Sequence, residues 1–325
     1  MKNRTLNRVL LLLDCLALLF LTVLYGPFDS FRNWYVTTAL STSSHKYLAH
    51  IFYSDSQLES IMSNNQIEVL QDSSDSSLIT VSNPSDQDDL TKLEKLILNN
   101  PENADYQIIP ISGNGYSGWL TVIYDPTRLD LVTAQSDNGS TVSALAQNNN
   151  ALVAVNGGGF DQSRKERSAD GGLISNRQII CLSEESEQLI SMTTDGKLLL
   201  VNSTVQQLSQ SQDISWALHF SPFLIVNGIS ANVSGNAGGQ QPRTAIGQRA
   251  DGIIILMTID GRGSNGSFGI NYAGMIELFE QCGCINAANL DGGGSTTLYE
   301  NGKLINDPAN RRGTERKVYD ALIFS

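Results

Sequence analysis

Three apolar runs in this sequence stop on an amide or acid side chain and pass straight into glycine. ALVAV ends in Asn156-Gly157-Gly158-Gly159-Phe160-Asp161, GIIILMTI in Asp260-Gly261-Arg262-Gly263, and CINAANL in Asp291-Gly292-Gly293-Gly294-Ser295. A buried strand ending this way presents a polar group at its tip. Glycine there supplies a positive φ, or omits the side chain so that backbone can approach a ligand closely. Ligands favour such strand ends, where a rigid scaffold holds loop groups. A single Asp-Gly after a strand is commonly only a hairpin turn. Three in one domain, each tipped by Asn or Asp, point to a site.

A fourth segment supplies positive charge. GGQQPRTAIGQ (238–248) places Arg243 at the start of a short apolar strand. An arginine after Pro242 commonly pairs with a surface acid. Facing the same cleft, its planar fork would hold a phosphate or carboxylate through two parallel bonds. Arg262 is the second candidate for that duty.

Other chemistries fail on detail. DGGGSTT has no lysine and does not match the phosphate-binding loop pattern, and NGGGF lacks the third glycine of a dinucleotide fingerprint. The chain has 3 histidines, His45, His50 and His219, and no GxSxG elbow, which disfavours a His-rich metal site and a Ser-His-Asp triad. Of the 4 cysteines, Cys15 lies in an apolar run; Cys282-Gly-Cys284 is too tight for a zinc knuckle. Cys181 could bridge one of that pair outside the cytoplasm, and free core thiols are the alternative. With 33 acidic against 21 basic residues the net charge is −12, which argues against a nucleic-acid partner and fits simple solubility.

The elements that must position these residues follow from the pattern. At 325 residues the chain can bury a sizeable core. Segments 119–125, 151–156, 252–260, 284–291 and 317–324 are β-branched, bounded by Gly, Asp or Asn, and predict strands. Segment 140–149, with Ser140 or Thr141 as N-cap, and segment 271–283, ending at Gly283, predict helices. The irregular order implies an α+β fold: a mixed, strand-rich single catalytic domain with a few helices.

The N-terminal third differs. Lys2, Arg4 and Arg8 precede VLLLLDCLALLFLTVLYGPF (9–28), about the length needed to span a bilayer. The charge bias predicts an uncleaved signal-anchor in the cell membrane, N-terminus cytoplasmic and the rest extracytoplasmic; a cleaved signal peptide is the rival. Asp14 within the span is either protonated or turned to a partner helix. Segment 45–65 has helical apolar spacing, 71–90 is Ser/Asp-rich and reads as a flexible linker, and 91–100 predicts a short helix. The expected organisation is 1–28 cytoplasmic tip and anchor, 29–105 stalk, and 106–325 catalytic domain.

NGGGFD, PRTAIGQRADG, TIDGRG and NLDGGGSTTLY, in that order and closed by ERKVYDALIF, resemble the phosphodiester glycosidase family. This is the family of the animal mannose-6-phosphate uncovering enzyme, whose bacterial relatives are often labelled exopolysaccharide-biosynthesis proteins. The similarity runs from about Tyr106 to Ser325. It implies hydrolysis of a sugar-1-phosphodiester at the anomeric carbon, in a cell-surface glycan or glycolipid, giving free sugar and a phosphomonoester. Such a reaction needs a carboxylate at the developing oxocarbenium centre and cations for a phosphate that is already a good leaving group.

Carried over by position, the resemblance makes Asp291 the carboxylate facing C1 or activating water, with Asp260 and Asp161 as alternates. Arg243 would hold the phosphate, supported by Arg262. The amides of Gly292, Gly293 and Gly294 and the Ser295 hydroxyl would bind phosphate or sugar oxygens. Asn156 would orient the loop of Gly157 and Gly158 or bond a sugar hydroxyl. The middle of NGGGF is glycine where relatives are expected to carry a bulkier residue, so pocket shape differs there. No cofactor is required on this reading, and a structural Ca²⁺ is compatible with it. A metal-dependent phosphodiesterase, with Asp161, Asp260 and Asp291 on Ca²⁺ or Mg²⁺ and the P–O bond breaking, is the first rival. A non-catalytic glycan-binding module is the second.

Overall fold

The structure, a computed structural model, describes residues 2–42, 45–81, 90–136, 138–161, 168–211, 213–310 and 313–325. Its contacts form two compact units, Met1–Gln66 with Val233–Gln240, and Ile67–Asn232 with Gln241–Ser325.

In the first unit, helix α1 (Lys2–Tyr25) contains the apolar stretch Asn7–Tyr25, which is long and apolar enough to cross a membrane and is 6% buried. Helices α2 (Asp29–Leu40), α3 (Tyr47–Phe52) and α4 (Asp55–Ser63) follow. The expected single helix over 45–65 is broken at Tyr53-Ser54. Tyr53 is extended, and Ser54 caps α4 with Gln57 in a reciprocal capping box. Leu24, Val36, Ala39, Ala49, Tyr53 and Leu58 form a small core, and the Tyr53 hydroxyl donates to the Leu24 carbonyl at 2.9 Å.

The second unit carries helices α5 (Lys92–Leu98), α6 (Val142–Asn148), α7 (Val205–Ser211) and α8 (Tyr272–Gln281), and the 17 strands found among the described residues. The expected α+β class is what forms. Numbered along the chain, one seven-stranded sheet holds β1 (Tyr106–Gly113), β2 (Tyr116–Ile123), β10 (Phe223–Val226), β11 (Ile229–Ser230), β12 (Arg243–Arg249), β13 (Ile254–Ile259) and β14 (Cys284–Asn289). Its order is β1-β2-β13-β12-β14-β10-β11. A second sheet comprises β3 (Leu129–Thr133), β4 (Val153–Asn156), β15 (Leu298–Glu300), β16 (Lys303–Leu304) and β17 (Asp320–Phe324), ordered β16-β15-β4-β17-β3. The third comprises β5 (Leu173–Ser175), β6 (Gln178–Cys181), β7 (Glu187–Thr193), β8 (Leu198–Ser203) and β9 (Ile214–His219), ordered β6-β5-β9-β7-β8.

All three sheets feed one core. Ile246, Leu256 and Ala288 come from the first, Val155, Leu322 and Phe324 from the second, and Ile190, Trp216 and Leu218 from the third. Trp216 is fully buried and donates its indole N–H to the Leu129 carbonyl at 2.7 Å, so its truncation to alanine would cost about 3–5 kcal/mol. Two ends cap as the sequence predicts: Thr141 accepts from the Ala144 amide at α6, and Gly283 ends α8 at φ 73°; Asn271 in addition caps α8 by accepting from the Gly274 amide.

The upper stalk is corrected. Residues 67–81 and 90–105 belong to the second unit, not to a free spacer, because their backbone and apolar groups find partners there. The Ser74 amide donates to the Leu200 carbonyl at 2.9 Å, Ile79 and Ile97 are buried, and Glu94 pairs with Arg249 at 3.2 Å. Residues 82–89 of the expected linker lie outside the described residues.

Candidate active site

Antiparallel pairing brings the predicted residues to one end of the first sheet. β12 pairs with both β13 and β14, with Arg243 opposite Ile259 and Ala245 opposite Asn289. The start of β12 therefore lies beside the ends of β13 and β14, which are followed by Asp260 and Asp291. In the second sheet Asn156 ends β4 opposite Ala321, which puts Asp320, the first residue of β17, at the same end.

Asn156 joins the two sheets. Its side-chain N–H donates to the Asp291 carbonyl at 2.6 Å, and its oxygen accepts from the Thr244 hydroxyl at 2.7 Å and the Thr297 amide at 3.2 Å. The Asp291 amide in turn donates to the Gly157 carbonyl at 3.1 Å. Asn156 is 0% exposed, so it fixes the loops from beneath.

The Gly292–Gly294 loop is ringed by guanidinium side chains. A Cβ on Gly292 would lie 3.7 Å from Cδ of Arg243, one on Gly293 3.0 Å from Nη2 of Arg262, and one on Gly294 3.9 Å from Nη1 of Arg316. Gly293 and Gly294 thus face Arg262 and Arg316, while Gly292 faces the Pro242 carbonyl first, at 2.7 Å, with the stem of Arg243 beyond it. Gly293 sits at φ 61° and donates its amide to the Pro242 carbonyl at 2.8 Å, which ties the loop to the residue before Arg243. Arg243 is buried, donates from Nε to the Ile270 carbonyl at 3.3 Å, and lays its guanidinium 4.7 Å from the Tyr272 ring centre. Arg262, itself at φ 58°, is an exposed residue and bonds Gln241 at 3.1 Å. Desolvation of its head group and the charge of Arg316 lower its pKa. Arg316 lies 5.4 Å from the Phe160 ring centre and reaches the Ser295 hydroxyl at 3.5 Å. Cations gathered on a loop of bare amides are an arrangement suited to an anion.

The carboxylates divide by environment. Asp291 stands in the loop: burial raises its pKa, against Ser295, Arg316, the Gly292 amide and Arg243, which favour its charged form. Asp260 is 1% exposed, and its two oxygens accept from Asn265 at 2.6 Å and Asn306 at 3.1 Å. Burial raises its pKa as well, against those two bonds. It anchors the loop carrying Arg262. Asp161 donates its amide to the Ser168 carbonyl at 3.1 Å and lines a hollow of about 850 Å³ with Phe160, Asp170, Glu187 and His219. Among the described residues no group of three or more His, Cys, Asp or Glu side chains is placed to share a metal ion. Asp161, Asp260 and Asp291 do not meet as the hard-cation set that a metal-dependent phosphodiesterase would need.

Gly157 and Gly158 have a partner that the sequence reading missed. A Cβ on Gly157 would meet Oδ1 of Asp320 at 2.1 Å, and the Gly158 amide donates to that same oxygen at 2.7 Å. These glycines make room for a buried acid. Arg316 was missed too, because one arginine among ERK carries no local signal. The cysteines are all free, with Cys282 and Cys284 buried.

Comparison with known proteins gives the same picture. The sequence model of the phosphodiester glycosidase family, NAGPA, matches residues 149–325, just over half of the chain. Mouse N-acetylglucosamine-1-phosphodiester alpha-N-acetylglucosaminidase is 27% identical over 226 residues, covering 61% of this chain and 42% of that protein. The human protein of that name is 30% identical over 151 residues, covering 45% of this chain and 26% of that protein. The chain spans less than half the length of these mammalian relatives. The catalytic domain of the zebrafish enzyme, auto-inhibited by its pro-peptide, shares the fold with a TM-score of 0.58 at 21% identity, over 69% of this chain and 85% of that one. The family match runs from just before β4 to the last residue and so takes in Asn156, Arg243, Asp291, Arg316 and Asp320; the chain belongs to the phosphodiester glycosidase family.

Proposed function

We propose that this protein hydrolyses the glycosidic bond of a sugar-1-phosphodiester, with N-acetylglucosamine-1-phosphodiesters as the first substrate class to try. The observation that carries the reading is the DGGG loop, whose glycines lie beside Arg243, Arg262 and Arg316 with the Asp291 carboxyl at its head. The arginines and loop amides would seat the phosphate. Asp291 would face C1 and either stabilise the oxocarbenium-like centre or activate water. The C1–O bond breaks, water supplies the new hydroxyl on the sugar, and the phosphomonoester leaves with its charge held by the arginines, which lessens the need for a general acid. Asp260 anchors its loop through Asn265 and Asn306 and takes no direct part.

The test is incubation with α- and β-linked nucleotide-sugars followed by product analysis. Reducing sugar with the intact nucleotide (a nucleoside diphosphate from a diphosphate-linked sugar) supports the reading; sugar-1-phosphate would mean P–O cleavage, and binding without turnover a glycan-binding module. Asp291→Asn and Arg243→Ala should each lose most of the activity, and near wild-type rates in both would refute the assignment.

We further propose that α1 is an uncleaved anchor holding the second unit outside the cell membrane, where glycans and glycolipids with sugar-phosphate diesters would be met. The Asn7–Tyr25 stretch, with mean hydropathy 2.2, supports this. Protease accessibility of the second unit on intact cells tests it.

A further inference from the structure

Asp320 and Asp291 hang on one dipeptide. Gly157 donates its amide to the Asp320 carbonyl at 3.2 Å and accepts from the Asp291 amide at 3.1 Å, while Gly158 donates to the Asp320 carboxyl at 2.7 Å. Asp320 is 0% exposed, and its second carboxyl oxygen, Oδ2, is buried with no hydrogen-bond partner. An ionised carboxylate so placed would leave half its charge unsolvated. A neutral acid needs less, with its proton on Oδ2 and Oδ1 free to accept from Gly158.

We propose that Asp320 is a positioning residue, a buried carboxylic acid that fixes the Gly157-Gly158 turn and thereby the backbone of Asp291, and whose charge is coupled to that of the Asp291 carboxyl. The proposal rests on Asp291 being the reacting carboxylate.

The surrounding charges agree. Burial first, and the like charge of Asp291 after it, push Asp320 up to about 7 against the pull of the Gly158 amide. Tyr319, which bonds Cys181, is the titratable neighbour just before β17, and its own pKa is pushed to about 12 by burial. Burial raises the Asp291 pKa too, but Ser295, Arg316, the Gly292 amide and Arg243 favour its charged form. Asp320 keeps its proton to near neutrality. When Asp320 ionises, a second negative charge arises behind Asp291 and the phosphate seat, and the Gly158 contact must carry a buried anion.

The test is the pH dependence of kcat/KM for a nucleotide-sugar, measured on the full chain in detergent. The wild type should give a bell whose alkaline limb falls near 7. Asp320→Asn keeps an acceptor for Gly158 and cannot ionise, so its alkaline limb should vanish while its acid limb stays in place, because Asp320 is already uncharged there. A profile that superimposes on the wild type would overturn the proposal.

A substrate-free measurement guards against an Asn variant that does not fold. The infrared C=O stretch of a protonated buried acid should be present in the wild type at pH 6, fade through neutrality, and fade at lower pH in Asp291→Asn. Its absence at pH 6, or an Asp291→Asn titration identical to wild type, would also overturn the proposal. If the band behaves as expected and no sugar phosphodiester is turned over, the catalytic reading has failed and the coupling stands. If turnover occurs with an unaltered profile in Asp320→Asn, the reverse holds.

Discussion

The side-chain amide of Asn156 donates to the main-chain carbonyl of Asp291 across 2.6 Å, linking residues 135 apart and joining the tip of β4 to the loop after β14. The same side chain accepts from Thr244 and Thr297. Asn156→Ala would leave these partners buried and unpaired, at a cost of about 3 kcal/mol. Thermal unfolding of the full chain in detergent should show a midpoint lower by about 5–10 °C. kcat/KM for a nucleotide-sugar should also fall, because the Asp291 backbone loses its tether. An unchanged midpoint would mean that the sheets are held together elsewhere.

The arginine ring predicts graded losses. Arg243 is buried and stacked on Tyr272, so Arg243→Ala should lower kcat/KM roughly 100-fold, the scale of losing charge-assisted bonds to a phosphate. Arg262→Ala should cost less, because that residue is exposed. Arg316→Ala should have a second effect. The Arg316 charge favours ionised Asp291, so its removal raises the Asp291 pKa and moves the acid limb of the rate profile to higher pH. An acid limb that stays put while KM rises would confine Arg316 to phosphate binding.

The site was partly legible because glycine after an apolar run is visible in one dimension. Arg243, Asp260 and Asp291 each mark a strand end, and antiparallel pairing then places those ends together. Asp320 was not legible. It sits in KVYDALIF as one acid in a strand, and the reason for its burial lies 162 residues away at Gly158. The third sheet was also missed, although Asp195-Gly196 between β7 and β8, with Gly196 at φ 81°, is an ordinary hairpin signal. Residues 71–81 read as linker because their composition is Ser/Asp-rich. They are held by backbone bonds, Ser74 to Leu200 and Thr80 to Ala250, for which composition is nearly silent.

Glycine substitutions separate a packing need from a conformational one. Gly157→Ala would drive a methyl to 2.1 Å from the Asp320 carboxyl, where neither group has room to move, and should abolish activity and lower the unfolding midpoint by 10 °C or more, as roughly 3 kcal/mol of overpacking requires. Gly302, at φ 89° with nothing within 4 Å of where an added methyl would lie, carries only the backbone cost of about 1 kcal/mol. Circular dichroism melts of the two variants side by side measure the difference. Equal losses would mean that the Asp320 pocket relaxes.

The buried thiols should be inert. Burial pushes Cys282 up to about 12 and Cys284 well above its ordinary value, so neither is a thiolate at pH 8. Peptide mapping after iodoacetamide treatment should find both unmodified in the folded chain and alkylated after denaturation. Labelling at native-state rates equal to an exposed thiol would contradict the packing of α8 on β14.

Asp320 makes a stability prediction with a definite sign. Its folded pKa is raised to about 7 from an ordinary carboxyl value of 3.8. Below the unfolded value both states hold the proton, and the folded state keeps the full benefit of a neutral, buried acid. As pH rises through that value the unfolded chain releases the proton while the folded chain retains it, so stability falls. The loss is complete once pH passes the folded pKa near 7, and its size is about 4 kcal/mol, the order set by a shift of roughly three pH units. Asp320→Asn cannot titrate. Its urea midpoint relative to wild type should therefore rise between about pH 4 and 7 and level off above. Taking the difference between variants removes most of the contribution of other carboxyls, apart from the coupled Asp291. Parallel curves across that window would show that Asp320 is ionised in the folded protein and that its unpartnered oxygen is solvated by some route.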